Sequence, residues 1–181
     1  VCSSDLVRYR EVHDTACRVL ARFLLDEGLL RDLSVDDAVE TGAHALFFPH
    51  GVGHLLGLDV HDLECFGDLP AYPPDRGRSP LFGTAYLRLD LPLEPGWLVT
   101  VEPGFYVVPA ILTDPQLRDR FRHCTKPDAW AAWEGFGGIR IEDDILITAD
   151  APENLSASAP RDPDELSRLI GAGADLRELL P

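Results

Sequence analysis

Basic residues are scarce in this sequence, which has 16 Lys and Arg against 31 Asp and Glu and a formal net charge of -15. A surplus of acid on that scale disfavours nucleic acid or an anionic membrane as a partner. The sequence also lacks any apolar run near the roughly 20 residues of a membrane helix, and no signal-peptide pattern is visible. The acidity itself suits a cation-binding site and plain solubility equally well.

Cysteine is scarce too, with four residues and no paired spacing. Scattered cysteines of this kind predict unpaired thiols in a reducing compartment, so we expect a cytoplasmic protein. The 181 residues are 45% hydrophobic and 26% charged, which suits one globular domain with a substantial core.

The first six residues look foreign to the rest of the chain. Residues 1–6 are what a common sequencing adapter encodes when it is translated in frame. We therefore expect them to be an assembly scar and exclude them from the fold prediction. On that interpretation, residues 7–181 are expected to be the C-terminal part of a longer protein.

Hydrophobic periodicity predicts the first elements. Apolar residues at helical spacing indicate a helix over 9–30 that Gly28 ends, with His13 on a solvent-exposed flank. A capping-box pattern at Ser34 begins a second, shorter helix. Residues 45–48 are then predicted to form a strand that leads into a glycine-rich stretch.

The remainder predicts strands separated by a long loop and an insertion. Proline and glycine break any period over 63–86, and a loop of that length suggests the border of a binding site. Strands are predicted over 97–101 and 139–148, a helix over 115–121, and a last helix after the N-cap Asp162. The apolar residues expected to dock this last helix are Leu166, Leu169 and Ile170.

The stretch 47–62 holds three histidines, three glycines and two aspartates in sixteen residues. Glycine costs about 1 kcal/mol in a helix interior, so a helix that presents His50 and His54 together as a zinc site is disfavoured. Glycine instead lets the backbone pass close to another segment, with the imidazoles directed from a strand or loop. Alone, the stretch favours a metal or catalytic role only modestly over a glycine-rich turn with incidental histidines.

Two predicted strands carry glutamates beside another polar residue. By strand alternation, Thr100 and Glu102 share one face of the first strand, and Arg140 and Glu142 share one face of the second. Charged side chains directed inward from such strands need partners. The Glu-Pro-Gly tripeptide at Glu94 repeats the one at Glu102 but follows no buried strand, so we expect Glu94 to be a turn residue.

His54, Glu102 and Glu142 together offer one imidazole nitrogen and two carboxylates. Such a hard, oxygen-rich set suits manganese, or zinc or cobalt in a catalytic role. A salt bridge of either glutamate with Arg88 or Arg140 explains the same residues. On the residues alone, the two interpretations are about even.

Three motifs occur in order along the chain: HGVGHLLGLDVHD from His50, VTVEPGFY from Val99 and GIRIEDD from Gly138. Together they resemble the proline-specific branch of the pita-bread metallopeptidases, which holds prolidase (Xaa-Pro dipeptidase) and Xaa-Pro aminopeptidase. They span roughly residues 44–150, and accidental matches at three ordered sites are improbable. The insertion between the second and third motifs resembles prolidase more than the shorter bacterial aminopeptidase.

The resemblance implies two divalent metal ions, manganese in preference to zinc or cobalt, held in part by His54, Glu102 and Glu142, with Glu142 bridging. Activated water would attack the scissile carbonyl, and Glu102 would also shuttle the proton. His61 would stabilise the tetrahedral intermediate, and His50 would line the pocket near the substrate.

Supporting roles follow from the same resemblance. Arg88 would clamp the carboxylate of a dipeptide, a task that suits a bidentate guanidinium. Arg140 and Thr100 would support the metal ligands from behind, with Arg140 orienting Glu142. His61, already assigned to the intermediate, would also bind the substrate.

The implied fold is α+β: a creatinase/aminopeptidase-like pita-bread fold, incomplete at the N-terminus. A curved, mostly antiparallel sheet would carry the N-terminal helices on its outer face, with His54, Glu102 and Glu142 converging on the concave side. The parent protein would be a homodimer.

The family's two aspartate ligands and one upstream histidine have no counterpart in this sequence. We therefore expect this chain alone to bind metal weakly and hydrolyse nothing, while a full-length parent cleaves Xaa-Pro bonds in dipeptides or short peptides. The alternatives are a non-catalytic pita-bread binding module and creatinase-like hydrolysis without metal. The three expected ligands and the two partner histidines weigh against the first, and the intact Glu102 and Glu142 weigh against the second.

Overall fold

The computed structural model describes residues 6–170. The helices are α1 (Tyr9–Asp26), α2 (Val35–Thr41), α3 (Pro109–Leu112), α4 (Pro115–Phe121), α5 (Pro127–Trp130) and α6 (Pro163–Leu169). The strands are β1 (Leu98–Val101), β2 (Gly104–Tyr106), β3 (Gly138–Arg140), β4 (Asp143–Leu146) and β5 (Glu153–Asn154). Short 3₁₀ helices occupy Ala43–Leu46, Glu64–Phe66, Thr84–Tyr86 and Ala131–Trp133.

Strand pairing within residues 6–170 is antiparallel. β4 lies between β1 and β5, with Val101 of β1 opposite Asp143 of β4. β2 pairs separately with β3, with Gly104 opposite Arg140. Helices accompany these antiparallel strands, so the predicted α+β class is confirmed.

The first two helices begin where the sequence signals place them. α1 starts at Tyr9 and ends at Asp26, and Gly28 follows in the left-handed region at φ 69°. At the start of α2, the Ser34 hydroxyl accepts a hydrogen bond from the backbone N–H of Asp37 at 3.0 Å. The Asp37 carboxylate accepts one from the Ser34 N–H in return, which completes the predicted capping box.

Helix α1 packs into two hydrophobic clusters. Ala21 and Leu24 belong to the cluster that also holds Phe105 of β2, Phe121 of α4 and Trp130 of α5. Tyr9 and Cys17 belong to the second cluster, which includes Val99 of β1. The helix therefore fixes the backbone of β1 from behind.

Two predicted strands are wrong in extent or type. Residues 45–48 do not form a strand, because a left-handed Gly42 at φ 81° leads into the 3₁₀ helix Ala43–Leu46. The pattern of a short apolar run that is buried throughout does not distinguish a strand from a helix. The strand predicted over 139–148 is two strands, because β3 pairs with β2 whereas β4 pairs with β1. The break falls at Ile141 and Glu142.

Helix α6 begins at Pro163 behind its Asp162 cap, as predicted. Its predicted docking is wrong, because no described element covers its apolar side chains. The exposed fractions are 37% for Leu166, 53% for Leu169 and 78% for Ile170. No helix within residues 6–170 combines the length and apolar character needed to cross a membrane.

His13 is buried, with 1% of its surface exposed, which corrects the expectation of an exposed flank. Its ring centroid lies 5.9 Å from that of Phe48, and its Nε2 lies 3.5 Å from the Cys17 sulfur. The helical spacing places His13 and Cys17 on one face of α1. The imidazole therefore belongs to the apolar face of the helix.

The burial of His13 predicts loss of stability in mild acid. Burial, with smaller contributions from nearby His44 and Arg10, lowers the pKa of His13 from 6.5 to about 3. Such a group binds its proton on unfolding, so its contribution to stability is complete above pH 6.5 and is lost as the pH falls towards 3. We expect His13 to account for about 2 kcal/mol of the decrease in unfolding free energy between pH 7 and pH 5.

Urea denaturation at both pH values measures this dependence. His13→Gln should flatten it by that amount, whatever its effect on stability at pH 7. His123 is exposed and serves as the matched control, so His123→Gln should leave the dependence as in the wild type. An equal pH dependence in the His13→Gln variant would contradict the assignment.

Candidate metal centre

Residues 52–56 run beside β1 and bring His54 to the end of that strand. The backbone N–H of Thr100 donates to the His54 carbonyl at 2.9 Å, and that of Glu102 donates to the Val52 carbonyl at 2.7 Å. A Cβ atom at Gly53 would overlap the Thr100 carbonyl and the Tyr9 hydroxyl. The glycine therefore allows the predicted close approach of the two segments.

His54, Glu102 and Glu142 converge as predicted. One ligand atom from each lies within 4.8 Å of the others. No other set of three His, Cys, Asp or Glu residues in the described part of the chain meets in this way. Glu102 follows β1 and Glu142 precedes β4, so the two glutamates lie where the paired strands pass from one sheet to the other.

The His54 ring is oriented by its own backbone neighbour. Nδ1 lies 2.9 Å from the Leu55 carbonyl, which can only accept, so Nδ1 carries a proton. Nε2 lies 3.2 Å from Glu102 Oε1. Burial acts to lower the pKa of His54, but the hydrogen bonds to Glu102 and Leu55 raise it above its usual value overall. Histidine ligands of metals commonly donate the second N–H to a carbonyl in this manner.

Glu102 is buried, with 6% of its surface exposed, and its carboxylate has partners on both oxygens. Oε1 accepts from the Thr100 hydroxyl at 3.1 Å, and that hydroxyl accepts from the His54 backbone N–H at 3.0 Å. Oε2 lies 2.8 Å from Arg140 Nη1. Burial acts to raise the pKa of Glu102, but hydrogen bonds from His54 and Thr100 and the Arg140 charge hold it below its usual value. The group is therefore an anion at neutral pH.

Arg140 lies closer to Glu102 than to Glu142. Its Nη1 is 3.9 Å from Glu142 Oε2, and its Nε donates to the Tyr106 hydroxyl at 2.7 Å. The salt bridge that was the alternative explanation for these residues is thus present between Arg140 and Glu102. Arg88 is not part of it, because its guanidinium pairs with Glu64 instead.

The three donors fit a divalent cation. One imidazole nitrogen and two carboxylates are ligands that manganese, zinc and cobalt accept. The Nδ1 proton of His54 directs Nε2 towards Glu102, and Glu142 is half-exposed beside them. That these residues bind metal stays a prediction.

His50, His61 and Arg88 line one cavity of about 380 Å³ together with His54, Glu102 and Arg140. The centroid of the His61 ring lies 4.4 Å from that of His54. The Nε2 atom of His50 lies 3.3 Å from the Tyr106 hydroxyl. The structure thus collects the predicted residues at one place, and their individual roles stay predictions.

The segment that carries Arg88 is anchored from behind. Leu87 and Leu89 are fully buried, so the intervening Arg88 is directed towards the cavity. Asp90, also fully buried, accepts from Arg8 through its backbone carbonyl at 2.6 Å, and its carboxylate pairs with Arg76 at 3.4 Å. Buried charge of this kind needs such partners.

Sequence reasoning missed three residues around this cavity. Tyr106 bonds to Arg140, Tyr9 donates to the Thr100 carbonyl at 2.5 Å, and Glu64 contacts Arg88. Tyr106 could have been found from the sequence, because it is the last residue of the second motif. The other two lie in segments far from their partners along the chain, and no local pattern connects them.

Comparison with known proteins agrees with this geometry. Residues 4–149 match the model of metallopeptidase family M24. The chain is 39% identical to the probable Xaa-Pro aminopeptidase PEPP of Paracoccidioides brasiliensis over 167 residues, covering 90% of this chain and 33% of that protein. It is 41% identical to the Xaa-Pro dipeptidase of Xanthomonas campestris over 153 residues, covering 83% of this chain and 33% of that protein.

A solved structure, Escherichia coli aminopeptidase P with the inhibitor Pro-Leu, matches with a TM-score of 0.59 and 34% identity. The match covers 92% of this chain and 30% of that chain. This chain therefore has the pita-bread fold of those peptidases, as predicted. It spans about a third of the length of the curated relatives that it matches.

The repeated Glu-Pro-Gly tripeptide offers a matched test of metal binding. Glu102→Gln should weaken Mn²⁺ binding by at least about tenfold, the lower end of what even an outer-shell partner costs. Glu94 is exposed at the equivalent place in the other tripeptide, so Glu94→Gln should bind as the wild type does. Titration of free Mn²⁺ by electron paramagnetic resonance measures both, and equal affinities for the two variants would refute the site.

Proposed function

The chain belongs to metallopeptidase family M24, and from this membership we propose that it supplies part of the catalytic centre of an enzyme that hydrolyses Xaa-Pro bonds in dipeptides or short peptides. The single observation that carries the proposal is the convergence of His54, Glu102 and Glu142 within 4.8 Å. The names of the relatives, an Xaa-Pro aminopeptidase and an Xaa-Pro dipeptidase, support the substrate class. So does the Pro-Leu inhibitor of the solved aminopeptidase P.

We propose further that residues 7–181 are the C-terminal part of a pita-bread catalytic domain and that this chain alone is inactive. The support is that it spans about a third of the relatives' length. The scar proposed for residues 1–6 falls almost wholly outside the described residues. The cytoplasmic location expected from the scattered cysteines and the homodimeric parent implied by the resemblance belong to the same proposal.

His54, Glu102 and Glu142 would hold the metal in this proposal. We propose two divalent ions, with manganese preferred to zinc or cobalt. When bound, such ions supply Lewis-acid activation of water and of the scissile carbonyl. The chain's own contribution is a rigid donor set, because Thr100 and Leu55 fix Glu102 and His54 by hydrogen bonds.

Glu102 is suited to moving a proton. Its carboxylate is ionised, so Oε1 can accept a proton from the attacking water and deliver it to the leaving proline nitrogen. That nitrogen belongs to a tertiary amide, which has no N–H for strand-like recognition. Recognition by side chains around a cavity suits such a bond.

His61 would donate to the developing oxyanion in this proposal. Its Nδ1 lies 3.3 Å from Arg88 Nη1. Because a guanidinium can only donate, Nδ1 accepts and the ring proton lies on Nε2. A fixed N–H donor of this kind stabilises a tetrahedral intermediate. In the same proposal, Arg88 would pair with the substrate carboxylate and His50 would line the pocket.

One observation favours the alternative of a non-catalytic binding module. Arg140 Nη1 lies 2.8 Å from Glu102 and 3.9 Å from Glu142, so the protein itself supplies a counter-charge for both carboxylates. In that case the cavity would bind a peptide without divalent metal. Metal affinity that depends on Glu102 separates the two functions.

The peptidase proposal predicts a specific pattern of activity. With Mn²⁺, a protein of the relatives' length that contains this chain should release proline from Ala-Pro but not cleave Pro-Ala. The 181-residue chain alone should release none, because it carries only part of the donor set. Chromatography of free amino acids checks both. Turnover of Ala-Pro by the chain alone would contradict its inactivity. No cleavage of either Ala-Pro or a short Xaa-Pro peptide by the longer protein would contradict the peptidase.

A further inference from the structure

Arg88 already has a carboxylate partner within the chain. Its Nη1 contacts Glu64 Oε1, and the other Glu64 oxygen lies 3.8 Å from His61 Nδ1. Arg88 Nη1 is itself 3.3 Å from that nitrogen. Glu64, Arg88 and His61 thus form one cluster, called here the rim cluster, beside His54.

The second arginine of the 380 Å³ cavity differs in its surroundings. The Arg140 side chain is as exposed as that of Arg88, at 40%, but it is held by the Tyr106 hydroxyl and by Glu102, whose side chain is only 9% exposed. In the rim cluster, by contrast, the carboxylate partner is accessible as well, since the side chains of Arg88 and Glu64 are 39% and 35% exposed. A carboxylate in solution can therefore reach Arg88, and Glu64 can turn into water when it is displaced.

We propose that Glu64 is a specificity-determining residue that competes with a ligand carboxylate for the guanidinium of Arg88. This inference rests on the proposed function, since it takes the cavity to be a peptide site. A ligand with a free C-terminal carboxylate must displace Glu64 or lie beside its negative charge. A ligand with a neutral C-terminus does not pair with Arg88, so its affinity does not depend on the Arg88–Glu64 pair.

The size of the effect follows from the exposure of the pair. Half-exposed ion pairs are weak, so the competition lowers affinity by a modest factor and does not close the site. Removal of the Glu64 charge should tighten the binding of a carboxylate ligand by roughly fivefold. Selectivity between carboxylate and amide ligands should change by the same factor.

The experiment compares N-acetyl-L-proline with N-acetyl-L-prolinamide, which differ in the carboxylate alone. Dissociation constants come from chemical-shift titration of the wild type and of Glu64→Gln. We expect the variant to bind the acid roughly fivefold more tightly and the amide as the wild type does. Adding Arg88→Met to the variant should abolish the gain.

Asp68→Asn is the matched control. Asp68 lies in the same loop and forms a similar half-exposed pair with Arg78 at 2.8 Å, so its removal should leave both affinities unchanged. Equal affinity of the wild type and Glu64→Gln for the acid would overturn the inference. So would an equal gain for the amide, or failure of both proteins to bind the acid. Failure of the proposed function would appear separately, as Mn²⁺ affinity that does not depend on Glu102.

Discussion

The partnering of the buried Glu102 carboxylate is the constraint on which the rest of the cavity depends. An ionised group removed from water is tolerated only when charges or hydrogen bonds compensate it. Its compensation comes from three separate segments: His54 in the glycine-rich stretch, Thr100 in β1 and Arg140 in β3. Folding of the chain therefore also assembles the site. Loss of any one of the three partners would leave the buried Glu102 charge less well compensated.

The break between the two sheets explains why two glutamates so far apart in sequence meet. Val101 pairs with Asp143 in one sheet, and Gly104 pairs with Arg140 in the other. Glu102 and Glu142 lie in the gap between these pairs, where the two backbones leave the β1–β4 pairing and have not yet entered the β2–β3 pairing. The same gap lets Arg140 reach back towards Glu102. A continuous strand over 139–148 would have fixed Glu142 within one ladder.

Much of this could be predicted from sequence because it is encoded locally. The capping box at Ser34, the strand before Glu102 and the glycine next to His54 each carry a signal within a few residues. The candidate metal-ligand set came from strand alternation together with ordered motifs. The rest depends on partners distant in the chain: the burial of His13 on α1, the break in the strand at Glu142, the pairing of Glu64 with Arg88.

Diffraction from crystals soaked in Mn²⁺, with anomalous scattering recorded at the manganese edge, tests the central claim most directly. The account predicts an anomalous peak roughly 2 Å from His54 Nε2 and from an oxygen of Glu102, with Glu142 ordered against the same peak. A map without a peak at these three side chains, with Arg140 still paired to Glu102, would contradict it.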